Sequence, residues 1–417
     1  VFIAIFWVTI VVINLFGVRF FGEFEFWLSS FKVIVIVGLL ILSLVLAVGG
    51  GPDHQVHGFR YWEDPGAFAE YIDTGAKGRF LAFWSVMIFA TYAYLGTELV
   101  GVTAGEAQNP RRTIPRAIKL TFYRILVFYC LGVLLLGMLL PYNSPELAFA
   151  STSKSGSASA SPFVVAIKLA GIQALPGILN ACILVFVFSQ ANSDLYIGSR
   201  TLYGLAREGK APAIFGRTNA AGVPVYALAA TAAVALLAFM NVADDSTRVF
   251  GYFVNMNTIF GLLTWISILV THVGFVRARR AQNVPDTALA YVAPLGVRGS
   301  YAALACCIVI ALTKNFTVFI RHRNSDGSVE AFDYRGFITG YIGIPLYLLF
   351  IFGYKFWTKS PGVNPHQADL WTGKDVIDRE EEEFLAQQAA REMERVKAGK
   401  KALADNWWYR TFVAPLF

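Results

Sequence analysis

Long apolar runs alternate along this chain with short polar links, and most of the runs are about as long as a bilayer is thick. Such runs occupy residues 1–17, 24–48, 124–140, 175–205, 223–240, 249–275, 302–320 and 337–357. With one more opening at Phe83, they give about nine candidate spans by the criterion of ~20 apolar residues per crossing. A shorter apolar stretch at 161–171 is expected as a helix lying at the membrane interface, and the Ser, Ala, Gly and Lys residues of 151–161 read as a flexible loop.

The run opening at Phe83 differs from the others. Gly96, Thr97 and Glu98 sit inside it, Gly101 and Gly105 follow, and it leaves the apolar phase at Asn109-Pro110 into Arg111, Arg112, Arg116 and Lys119. A helix in hydrocarbon must satisfy its backbone groups internally, so a broken one is tolerated where protein buries it or where it lines a polar cavity. An ionisable residue at that depth is a functional-site hypothesis by default. The stretch 83–119 is therefore expected to be an unwound, substrate-facing helix. Glu98 has a gating or proton-linked role, or else a structural hydrogen bond to loosened backbone.

Composition supports the membrane reading. The chain has 417 residues, 56% of them hydrophobic and 15% charged, with a mean hydropathy of +0.54, too apolar for a soluble protein of this size. The net charge of +7 does not point to nucleic acid, because Lys and Arg gather beside apolar runs instead of forming one basic face. They act as topology signals. Placing the clusters at Arg111, Arg207 and Arg277 in the cytosol leaves Asp53, Asp244, Asp245, Asp326 and Asp333 outside, and the alternation agrees at every loop. All four cysteines lie within apolar runs, as free thiols, and the five scattered histidines form no metal-ligand cluster. No metal or cofactor is expected. The chain starts inside an apolar run without a charged leader, so a preceding segment is expected to be missing. From residue 360 onward the composition changes to a highly charged, helix-patterned tail ending near Asn406, Trp407, Trp408 and Tyr409. It reads as a cytosolic domain, 360–417, whose solvated helix could dock regulatory partners.

A second polar focus lies in two other runs. Lys32 stands ~13 Å along a helix from Glu23, and Asp194 stands at a similar height above the basic exit of its own run, beside Asn192 and Ser193. A buried lysine gives up its proton readily, and a neighbouring carboxylate would hold it, so Lys32 and Asp194 could load and release H⁺. A snorkelling lysine or a permanent ion pair is the structural alternative.

The blocks FWLSSFKVIVIVG, YLGTELVGVTAGEAQNPRRTIPRAIK, NSDLYIGSRTLYGLAREGKAP and NFTVFI with FITGYIGIPLY carry a resemblance to the yeast amino-acid transporter family of fungal permeases. Within it they are most similar to the dicarboxylic amino-acid permease branch. The resemblance covers residues 1–359 and implies an all-α polytopic membrane protein with the inverted-repeat transporter fold. About nine of the family's twelve helices would be present, starting at the fourth. It also implies that the break near residues 94–97 lies in the substrate-binding helix, with Tyr92, Ala93, Tyr94, Gly96 and Thr97 lining the pocket, although Tyr92 and Tyr94 also fit ordinary core packing. The other half of such a site, on the family's first helix, has no counterpart here.

The activity so implied is proton symport of amino acids, acidic ones by branch, across the plasma membrane with the C-terminus in the cytosol. Its partners would be the amino acid, H⁺ and the lipid bilayer. Asn255, Asn257, Thr97 and Lys32 are the visible groups that could meet a second substrate carboxylate, whereas the charge of Glu98 argues against an anionic substrate unless it points away. A broad-range permease and a non-transporting sensor of the same fold stay open. An enzyme is disfavoured, since no nucleophile triad, HExxH or phosphate-cradling motif stands at a helix end.

Overall fold

The computed structural model describes residues 2–16, 18–52, 54–102, 109–147, 161–242, 246–320, 332–359 and 361–397. Gly105, the loop at 151–160, Asp53, Asp244, Asp245, Asp326 and the aromatic end at 406–409 lie outside them. Among the described residues the chain is helical, with no strand. In order, the helices are α1 Phe2–Leu15, α2 Val18–Ala47, α3 Gly75–Ser85, α4 Met87–Tyr94, α5 Leu99–Val102, α6 Pro110–Ile125, α7 Gly132–Leu139, α8 Pro162–Leu169, α9 Leu175–Arg207, α10 Val225–Ala235, α11 Ser246–Ala281, α12 Gly296–Thr313, α13 Tyr334–Tyr341, α14 Gly343–Thr358 and α15 Lys374–Lys397. Seven helical stretches among the described residues are long and apolar enough to cross a membrane, and the apolar segments Phe2–Leu15 and Val225–Met240 are shorter. This is an all-α polytopic membrane protein.

The chain forms two compact units, one of Val1–Trp84 with Tyr123–Gly251 and one of Ser85–Phe122 with Tyr252–Phe417. In the first, Leu40, Leu46, Leu135, Met138 and Ala166 make a core between α2, α7 and α8. The α8 segment does not lie free on the surface but packs into the core. Its Val164 and Ile167 are buried with Leu179 and Cys182 of α9, because PFVVAIKL carries one charged residue, Lys168, in its last turn and has no polar face to show to water. Helix α1 is tied down by polar contacts at two points. Trp7 Nε1 donates to the Ala232 carbonyl at 2.9 Å, and Asn14 Nδ2 donates to Asn192 Oδ1 at 3.0 Å, with both asparagines buried.

In the second unit Ile259, Leu262 and Leu263 of α11 pack with Ala311 of α12 and, on α14, Ile344 and Tyr347. His272 sits near the basic end of α11, where its Nδ1 meets Ser300 Oγ at 2.7 Å. Asp333 caps α13 by accepting from the Gly336 N–H at 2.9 Å. All four cysteines are free thiols.

The charged tail helix α15 is more than a solvated rod, since one edge of it is held. Arg111 donates through Nη1 to Glu381 Oε2 at 2.9 Å and through Nη2 to Asp378 Oδ1, while Lys374 Nζ reaches Asp378 from one turn away. Hydrogen bonds from Lys374 and then Arg111 hold the Asp378 carboxyl below the usual carboxylate range. Its contribution is therefore complete at neutral pH and is lost only as the pH falls through that lowered value. Far-ultraviolet helicity of α15 is accordingly expected to stay constant between pH 8 and pH 5; a loss of tail helix within that range would contradict the pairing.

Candidate functional site

The break expected in the third span is present, and it lies where the sequence put it. Helix α4 ends at Tyr94, Leu95 is extended at φ −60° and ψ 147°, and Gly96 takes φ +93°. Helix direction resumes at Leu99. A positive φ of that size places a Cβ against the following carbonyl, a strain glycine escapes. At the end of α4 the Leu95 N–H turns back to the Tyr92 carbonyl at 3.2 Å, so the helical ladder closes here instead of running on into α5.

Glu98 is not left pointing into the gap. Its Oε2 accepts from the Gly96 N–H at 3.1 Å and from Trp265 Nε1 of α11 at 2.9 Å. The carboxylate thereby fixes the turn and joins it to α11, so the structural hydrogen-bond alternative for Glu98 describes what the side chain does here. Four residues before Trp265, one turn of α11, stands Gly261, where an added Cβ would lie 2.1 Å from Leu95 Cδ2. Gly261 lets the break approach α11 closely. Gly261→Val is expected to push Leu95 off α11 and lower uptake roughly tenfold, as overpacking of ~1–3 kcal/mol would do, measured at matched surface expression.

Of the residues expected to line the pocket, Tyr92 and Ala93 are exposed, and Tyr94, Gly96 and Thr97 are half-buried around the break. The proposed donors for a second carboxylate fare differently. Asn257 is exposed, but Asn255 is engaged by Lys314, whose Nζ donates to its Oδ1 at 3.3 Å and its carbonyl at 3.4 Å. Sequence reasoning passed over Lys314. It is 1% exposed and forms no ion pair among the described residues.

In the first unit the structure gives Lys32 a different partner from the expected one. Lys32 Nζ pairs with Glu25 Oε1 at 3.4 Å, and that same oxygen accepts from Ser189 Oγ of α9 at 2.6 Å and from Ser29 Oγ at 3.3 Å. Glu25 Oε2 is buried without a hydrogen-bond partner. Asp194 instead accepts from Gln190 Nε2 at 2.9 Å and interacts with the Lys32 charge only at longer range. The reason is helical register. Glu25 lies two turns before Lys32 on the same face of α2, whereas Asp194 lies more than a turn beyond Ser189 on α9. Asn192 is drawn into the clasp with Asn14, and Ser193 is half-buried. The result is an intramembrane cluster of one cation, one carboxylate and two hydroxyls, with a further carboxylate nearby.

No group of three or more His, Cys, Asp or Glu side chains suited to a metal occurs among the described residues. A broken span stabilised by its own carboxylate, together with an ion pair inside the membrane, is the kind of architecture that moves a small polar solute rather than transforms it. Comparison with known proteins agrees. Residues 1–363 match the family model described as amino acid permease. The chain is 51% identical to the dicarboxylic amino acid permease of Saccharomyces cerevisiae, over all of this chain and 67% of that protein. It is 39% identical to the proline-specific permease of Emericella nidulans over 98% of this chain and 71% of that protein, and 41% identical to the lysine-specific permease of S. cerevisiae over 92% and 60%. These relatives are named as transporters, not enzymes, and their named substrates differ in charge. The chain belongs to the amino acid permease family.

Proposed function

We propose that this permease imports acidic amino acids, glutamate and aspartate, by proton symport across the plasma membrane. The observation that carries the acidic reading is the inward turn of Glu98. With its Oε2 engaged by the Gly96 N–H and Trp265 Nε1, the carboxylate is held against the turn and α11, which weakens the objection to a dicarboxylate substrate. The identity of 51% to a permease named for dicarboxylic amino acids, against 39% and 41% to those named for proline and lysine, supports the same choice. Competition of labelled glutamate uptake by unlabelled amino acids tests it. Aspartate is expected to compete fully and leucine and lysine weakly; equal competition by all of them would leave a broad-range permease.

Proton coupling is assigned to Lys32 with Glu25, and Asp194 is the second carboxylate within electrostatic reach. When one member of such a pair takes up or loses a proton the pair separates, which couples protonation to helix movement. The basic exits at Arg111, Arg207 and Arg277 support a cytosolic C-terminus. Protease added outside intact cells is expected to leave a C-terminal tag untouched. Loss of the tag without permeabilisation would reverse the orientation.

A further inference from the structure

The tail is attached to the second unit at two separate places, and the two places are the ends of different helices. Beyond α14, Gln282 at the end of α11 donates through Nε2 to the carbonyls of Pro365 at 3.1 Å and Ala368 at 2.7 Å. The intervening chain is built to hold a shape. Asn364 Oδ1 accepts from the His366 N–H at 3.1 Å, and Asp369 Oδ1 accepts from the N–H groups of Trp371 and Thr372 at 3.0 and 2.9 Å. Helix α15 then brings Asp378 and Glu381, three residues apart on one face, to the Arg111 fork.

Arg111 is the second residue of α6, and α6 is the next described helix after α5, the short helix that follows the break. A cation at a helix N-terminus is unfavourably placed against the helix dipole, so two carboxylates brought beside it offset that cost as well as pairing the guanidinium. The three side chains are only about a fifth to a third exposed, which screens the clamp less than an open surface pair. The segment therefore runs as a strap from the last turn of α11 to the first turn of α6.

We propose that residues 361–381 form a releasable brake, which holds the start of α6 against the end of α11 and so restrains the segment that follows the broken helix. Transport by this fold needs the broken helix and its continuation to move between an outward-open and an inward-open arrangement. A strap fixed at Arg111 and Gln282 opposes that movement, and its release requires only that two carboxylates leave one guanidinium. The brake acts on transport of any amino acid and does not depend on the acidic specificity proposed above.

The test uses the full-length protein in cells, supplied with a labelled mixture of amino acids so that the outcome is independent of substrate preference. Asp378→Asn combined with Glu381→Gln removes the clamp from the tail side and alters no membrane-spanning helix. Initial uptake at matched surface level is expected to rise about two- to fivefold, a shift of ~0.4–1 kcal/mol. In the purified full-length protein, deuterium uptake over residues 374–391 is expected to rise with it. Exchanging the charges, Arg111→Glu with Glu381→Arg, is expected to return uptake towards the starting rate, whereas Arg111→Glu alone is not. Unchanged or lower uptake in the tail-side variant would overturn the brake, as would faster uptake without increased exchange in α15.

Discussion

Lys32→Met is expected to abolish uphill accumulation of substrate while leaving some binding. Methionine keeps the length and volume of lysine within α2 but cannot pair with Glu25 or carry a proton. If the ion pair links proton movement to substrate movement, its removal leaves facilitated exchange, and the ratio of internal to external labelled substrate falls to about one. The pair is half-buried, so removing one member leaves the other partly uncompensated, at less than the ~3–5 kcal/mol of a fully buried pair, and lower expression of the single variant would be uninformative by itself. The double variant Glu25→Gln with Lys32→Met removes both charges and keeps an amide to accept from Ser189. It is expected to reach the surface at near wild-type levels and still fail to accumulate substrate. Wild-type accumulation by the double variant would remove Lys32 from the coupling mechanism.

The second large effect is expected at Gly96. Its φ of +93° costs an L-residue ~1–2 kcal/mol, and a side chain there would also stand between the backbone and a substrate bound at the break, as proposed. Space is not the limiting factor, since the nearest atom to an added Cβ is Leu99 Cδ1 at 3.5 Å. Gly96→Ala should therefore fold. If the cost falls on the transport-competent conformation, uptake drops roughly 5- to 30-fold, with thermal stability in detergent little changed. Trp265→Phe, which removes one of the two donors to Glu98, is expected to give a smaller loss. An Ala variant with unimpaired transport would show that Gly96 serves the turn alone and that substrate does not approach it.

The elements were legible because membrane helices announce themselves by length and apolar content, and the break was legible because Gly and Glu have no ordinary place in such a run. Boundaries were less so. The third span begins at Gly75 and α12 at Gly296, both several residues before the apolar runs begin, because a helix continues through its polar ends once the backbone is paired. Side-chain partnerships were the least legible. Glu25 could have been found as the partner of Lys32 from the spacing of two helical turns, but depth alone suggested Asp194. Ser189 and Trp265 left no signal, as each meets its carboxylate across more than 160 positions of sequence. The clamp on Arg111 was equally hidden, since the acidic run of α15 looks the same whether or not a cation waits for it.

The central claim, that glutamate and protons enter together, is tested most directly by recording external pH in a weakly buffered suspension of cells expressing the full-length protein. Adding glutamate or aspartate is expected to alkalinise the medium at once, and adding leucine or lysine is expected to leave the trace flat. Glutamate uptake with no alkalinisation, or an equal signal from leucine, would contradict the account.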